Sequence, residues 1–146
     1  MGIVYRCPDT GSKPPAYLAT GELAWAKIFN CLEHPGSAGK SRPVVLIESR
    51  GSQWLVMGLT TRPSYRDGSP RTPVPDPGVV GLRRAGHLWG RCTRVAAVDM
   101  EDHIGWADEA LAHAIIAAAE LPSGQASALR DAAHEHHRAA RAGGAA

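Results

Sequence analysis

The sequence predicts a mainly β chain: a small, strongly bent antiparallel sheet or barrel followed by C-terminal helical packing. Three observations lead there. The first two-thirds hold short apolar runs rich in β-branched residues and joined by tight polar links. No helical pattern separates the first of these runs, which disfavours a doubly wound α/β fold. The last third turns abruptly alanine-rich with helical spacing. At 146 residues the default is one domain with a single core of useful size.

Residues 1–19 contain three prolines and few core-type side chains, and are expected to be an arm. Gly21-Glu22 opens LAWAKIF, a first strand. NCLEHPGSAGKS is a loop by composition, with Pro35-Gly36 as its turn signal. PVVLIES is a β-branched strand, Arg50-Gly51-Ser52 a tight connection and QWLVMGLT the next strand, so the pair predicts a hairpin. From Arg62 to Pro77 five prolines exclude a central strand, although short edge pairing around Thr72–Val74 fits. VVGL and HLWGRCTRVAAVD predict further strands. Asp102–Gly105 is expected to lead into a helix over WADEALAHAIIAAAEL, with Trp106, Leu111, Ile115 and Ala118 on one face and Asp108 and Glu109 in its first turn. Pro122 stops it. Residues 122–146 offer only Leu129 as a large apolar side chain, so they are either a second, loosely docked helix or a tail. The expected organisation is an arm over 1–19, a barrel domain over 20–121 and an extension over 122–146.

Bulk properties narrow the function classes. A formal net charge of +2 gives a weak overall field, so a local basic cluster matters more than the sum. Cys7, Cys31 and Cys92 are scattered and odd in number, which argues against a disulfide framework or zinc site and for a reducing compartment. The first residues lack the apolar core of a signal peptide, and no apolar run approaches a membrane span. A cytoplasmic protein is expected.

Three constellations can carry chemistry. Arg42 stands at a strand mouth beside Pro43, where a planar, permanently charged guanidinium suits a phosphate. The bland alternative is a solvated arginine at a strand end. Thr60-Thr61 close the next strand, and their hydroxyls can bind a phosphate or a base, or simply satisfy backbone. The most informative run is His87-Leu88-Trp89-Gly90-Arg91-Cys92-Thr93. In a regular strand His87, Trp89, Arg91 and Thr93 share a face. An imidazole can move a proton near neutral pH, a guanidinium can stabilise charge on phosphorus, and an indole can stack on a splayed base. The alternative is a barrel strand with a core tryptophan. His134-Glu135-His136-His137 is expected to be a solvated terminal tract rather than a metal site, and Arg83-Arg84 either a solvated face or an extension of a basic track.

Several of these segments resemble the MazF/PemK/Kid toxins. Gly21-Glu22-Leu23 looks like their first-strand opening, and Gly39-Lys40-Ser41-Arg42-Pro43-Val44-Val45 is similar to their G-x-RP-x-V element. Val56-Met57-Gly58-Leu59-Thr60-Thr61 looks like the apolar strand that follows. Arg91-Cys92 with Val98-Asp99 resembles a segment of the Kid/PemK branch, and Ile104-Gly105 with the helix after it fits the family's ending. The likeness covers roughly residues 21 to 121 in matching order.

The resemblance implies a small SH3-like barrel with a C-terminal helix, usually a homodimer, that cleaves single-stranded RNA without a metal or other cofactor. In that chemistry the ribose 2′-OH attacks phosphorus and leaves a cyclic phosphate. It is also what implies an antitoxin protein as partner. Carried over, Arg42 and Thr60 take the phosphate-site positions, and Arg91 that of a proposed general acid and charge stabiliser. Thr93 departs from the branch, which has an aspartate there as proposed base, and HPGSAGKS replaces the usual Glu-Gln of the first loop. His87 is the substitute base expected here. The candidate catalytic set is Arg42, Thr60, His87 and Arg91; the candidate substrate-binding set is Thr61, Trp89, Thr93, His34 and Lys40. The competing reading is a non-catalytic module of the same fold that binds RNA or inhibits a partner protein.

Overall fold

The computed structural model describes residues 18–28 and 39–144. The expected arm over 1–17 and most of the first loop, His34 included, lie outside the described residues. Five strands form one sheet: β1 (Glu22–Ile28), β2 (Lys40–Arg50), β3 (Gln53–Thr60), β4 (His87–Ala96) and β5 (Met100–Trp106). Two helices follow, α1 (Glu109–Ala119) and α2 (Ser123–Gly144). The fold class is therefore the expected one, mainly β with C-terminal helices. All pairings are antiparallel in the order β4-β3-β2-β1-β5. The predicted hairpin joins β2 to β3 around Gly51, whose φ of 62° requires a residue without a Cβ penalty.

The sheet cannot be flat. Its two edges, β4 and β5, are linked only by the 3-10 turn Ala97–Asp99. Four residue steps span at most ~14 Å, whereas the edges of a flat five-stranded sheet stand ~19 Å apart. The sheet therefore curls. Its inward face buries Ala24, Ala26, Val44, Leu46, Val56 and Met100 against one another with no helix over them. The outward face carries Leu23, Val45, Ile47, Met57, Leu59 and Leu88, which pack on Leu111, Ile115, Leu129 and Ala133 of the helices. Central strand β2 is thus apolar at four successive positions, Val44–Ile47, because both its faces are covered.

Several expectations need correcting. VVGL is not a strand. Residues 77–81 form turns, Val80 enters the outer core, and Gly81 (φ 94°) approaches the Ile104 carbonyl so closely that a Cβ would collide with it. That segment lies against β5, while Val74 N–H donates to Gly86 O and Leu88 N–H to Thr72 O along β4. The β3–β4 connection therefore touches both exposed edges of the curled sheet. The edge pairing expected near Thr72–Val74 is present as the Pro73–His87 bridge.

The second correction is β5. Its sequence, MEDHIGW, is too polar to read as a strand because it is an edge. Trp106 belongs to it and not to the helix, and the strand expected to run to Asp99 ends at Ala96. Helix α1 starts later than predicted, capped by Asp108, whose carboxylate accepts from Leu111 N–H at 2.9 Å. It ends at Glu120 in the left-handed conformation, before Pro122.

The C-terminal segment is a docked helix rather than a tail. Ala126, Leu129 and Ala133 of α2 are buried. Its histidines are not simply solvated. His136 stacks on Trp106 at 3.5 Å between centroids, His137 Nε2–H donates to Trp106 O at 3.0 Å, and His134 Nδ1–H donates to Glu109 at 2.8 Å. The missed strand β5 supplies that docking surface, so the tract could not be placed without it. No described helix is long and apolar enough to cross a membrane.

Candidate functional site

Register assembles the site. In β2, positions 42, 44 and 46 alternate onto the inward face, as Val44 and Leu46 establish. Val44 pairs with Gly58 of β3, and Thr60 pairs with His87 of β4. Continued by two residues, the β2–β3 register aligns Arg42 with Thr60. Arg42, Thr60 and His87 thus form one transverse row on adjacent strands, each ~4.8 Å from the next in the hydrogen-bonding direction. A second row, Val44, Gly58 and Trp89, lies directly beneath.

A bulge in β4 shapes this second row. Leu59 pairs with Leu88 and Met57 with Cys92, so Trp89, Gly90 and Arg91 together face the single residue Gly58. Gly90 sits at φ 97°, a conformation costly for any residue with a Cβ. The two extra residues preserve alternation on either side, so His87 and Thr93 keep the inward face. Trp89 lies flat over Gly58, where an added Cβ would come within 2.6 Å of the indole. Glycine at 58 is therefore a seat for the ring.

The electrostatics of the row are incomplete in a specific way. The Arg42 guanidinium stands 5.4 Å over the Trp89 ring, held by a cation–π contact rather than by a carboxylate. His87 Nδ1 and Trp89 Nε1 are buried without a hydrogen-bond partner among the described residues. Thr60 is 8% exposed, and its Oγ1 accepts from Arg62 N–H at 3.2 Å, which leaves its hydroxyl proton to donate. The backbone role foreseen for this threonine is thus filled, and it does not exclude the other.

The remaining candidates fall around this row. Lys40 and Thr61 are exposed at neighbouring strand ends, and Lys40 pairs with Ile28. Arg91 is exposed and lies in the bulge itself, so alternation does not set its direction; it makes no hydrogen bond or ion pair among the described residues. Thr93 faces Val56, four residues from Thr60 along β3 and hence ~13 Å away, too far to serve the same atom. Cys92 belongs to the opposite face. Burial pushes its thiol up to about 11, which removes it as a nucleophile near neutral pH. No group of three or more potential ligands is poised for a metal among the described residues.

Two residues that sequence reasoning passed over lie beside the bulge. Tyr65, from the proline-rich loop, sets its hydroxyl against Gly90, and Arg71 stacks 4.5 Å over the Tyr65 ring. The available signal was Asp67-Gly68, a tight-turn dipeptide that folds the loop back on itself between Tyr65 and Ser69.

No protein-family model matches the chain, and no curated protein matches it. Among solved structures, the Mycobacterium tuberculosis toxin MazF-mt6 is similar to it at 24% sequence identity and a TM-score of 0.45, over 69% of this chain and 98% of that one.

Proposed function

We propose that this protein is an endoribonuclease that cleaves single-stranded RNA by attack of a ribose 2′-OH on the adjacent phosphorus. The observation that carries the reading is the transverse row of Arg42, Thr60 and His87, with Trp89 beside it and buried polar atoms that lack protein partners among the described residues. The motif resemblance of residues 39–45 and 56–61 supports it independently.

In this reading Arg42 and the Thr60 hydroxyl bind the non-bridging oxygens of the scissile phosphate. Trp89, seated on Gly58, holds the Arg42 guanidinium over its ring and so sets its place in the row. His87 takes the proton of the 2′-OH as that oxygen bonds to phosphorus. The bond from phosphorus to the 5′ oxygen then breaks, giving a 2′,3′-cyclic phosphate and a 5′-OH whose proton comes from solvent. Arg91 is too basic to be an efficient acid; its part is to stabilise charge on the phosphoryl oxygens or the leaving oxygen. The same reading carries a homodimer and a neutralising protein partner, for which exposed Trp25 and Val79 offer apolar surface.

The test is incubation of purified protein with a long single-stranded RNA in EDTA, beside Arg42→Ala and His87→Ala, with mapping of the ends. Discrete cuts with cyclic-phosphate ends, lost in both variants, are expected. Well-folded protein that cuts none of a diverse RNA set refutes catalysis and leaves a binding module.

A further inference from the structure

The proline-rich β3–β4 connection is built around Tyr65. Tyr65 N–H donates to Ser69 O, Gly68 N–H to Tyr65 O and Arg71 N–H to Pro63 O, closing a small loop on itself. The Asp67 carboxylate accepts from both the backbone N–H and the hydroxyl of Ser69 at its tip. Arg71 is only 6% exposed, stacks over the Tyr65 ring and donates Nε–H to Ser64 O at 3.4 Å. A buried arginine is costly, and the Tyr65 ring is one of the groups this one packs on, which fixes the ring's place in the loop. At its other end the ring reaches Gly90, where the absence of a Cβ leaves room for the phenol oxygen. That oxygen has no hydrogen-bond partner among the described residues, and the side chain is half-exposed.

Gly90 stands between Trp89, which carries the Arg42 guanidinium, and Arg91, which is exposed. The Tyr65 hydroxyl is therefore a neutral donor without a protein partner among the described residues, beside the strand that carries Arg91 and the ring under Arg42. Tyrosine hydroxyls are common phosphate-oxygen donors in nucleic-acid complexes.

We propose that Tyr65 is a further RNA-contacting residue: its hydroxyl donates to a non-bridging oxygen of a phosphate flanking the scissile one, and Arg71 is the residue that positions the ring. This rests on the RNA-cleavage reading for its ligand, and it extends the site from the sheet onto the loop.

The experiment measures binding of a fluorescein-labelled, 2′-O-methylated single-stranded RNA, which cannot undergo 2′-OH attack, in EDTA across a salt series. Wild type, Tyr65→Phe and Arg91→Ala are compared, with cleavage of the unmodified RNA followed in parallel. Phenylalanine keeps the ring, its stacking with Arg71 and the fit at Gly90, and removes only the hydroxyl. Tyr65→Phe should weaken binding about tenfold at every salt concentration, the loss expected for one hydrogen bond to a charged group, with an unchanged salt slope. Arg91→Ala should lower the slope by about one. Wild-type affinity in Tyr65→Phe, or a changed slope, overturns the proposal. Binding by wild type without cleavage overturns the catalytic reading alone, and the Phe comparison still decides Tyr65. No binding by wild type overturns both.

Discussion

Two regions of this molecule treat their histidines oppositely. Where α2 meets β5, the ring nitrogens and faces are occupied: His103 Nδ1–H donates to the buried carboxylate of Glu22 at 2.9 Å, His134 to Glu109, His137 to a backbone carbonyl, and His136 lies flat on Trp106. At the row on β2, β3 and β4, His87 Nδ1 and Trp89 Nε1 are buried without a partner among the described residues, and Arg42 faces a ring. An unsatisfied buried polar atom costs about 1–3 kcal/mol. The contrast separates histidines held by protein partners from a row whose buried polar atoms lack them, and the RNA-cleavage reading rests on that row. The more conspicuous His134-Glu135-His136-His137 tract is the structural one.

The comparison can be broken by substitution. The largest effect should come from Arg42→Ala, with a cleavage rate lower by about 10²–10³ and little change in melting temperature, since the side chain is half-buried and meets Trp89 through a cation–π contact. His87→Ala should follow, at about 10²-fold, while His87→Gln should not restore the rate, because an amide cannot take the proton. Equal rates for wild type and both variants would show that the open polar atoms mean nothing. Gly58→Ala tests the seat of the ring. Its Cβ must displace Trp89, so it should destabilise by about 1–3 kcal/mol in a denaturant titration and lower activity.

Effects on the satisfied side should be smaller and confined to stability. The His134–Glu109 pair is exposed on both partners, so His134→Ala should cost under about 1 kcal/mol and leave cleavage unchanged. A loss of activity there would place α2 in the site. The smallest effect concerns acid. The amide of Gln125 on α2, and then Arg50, hold the Glu48 carboxyl below its usual range. A depressed folded value means this contribution is present above the ordinary carboxylate range and lost as pH falls through the folded value. Melting followed from pH 6 downward should therefore fall less steeply in Gln125→Ala than in wild type. The difference is small because Glu48 is substantially exposed.

Much of the architecture is legible in residue types. β2 and β3 announce themselves through PVVLI and WLVMGL, and the hairpin through Arg50-Gly51-Ser52, because β-branched density and a turn glycine are local signals. β5 is not legible, since an edge strand need not be apolar. VVGL misleads for the reverse reason: Val80 is buried by a turn crossing β5, so its hydrophobicity reflects contact without strand geometry. Of the site, Arg42, Thr60 and His87 can each be singled out by chemistry, but their alignment cannot. It depends on the β2–β3 and β3–β4 registers, and register is set by pairing across the sheet.

The sequence by itself determined that this chain is a bent antiparallel sheet closed by helices, and which residue types could handle a phosphate. Those properties follow from periodicity, propensity and side-chain chemistry, which act over a few residues. Tertiary structure alone decided that β4 carries two extra residues opposite Gly58, that Trp89 lies under Arg42, that Tyr65 returns from a distant loop to Gly90, and that α2 docks its histidines on β5. Each of these is a contact between segments far apart in the chain, and its energy exists only once the sheet has curled and brought them together.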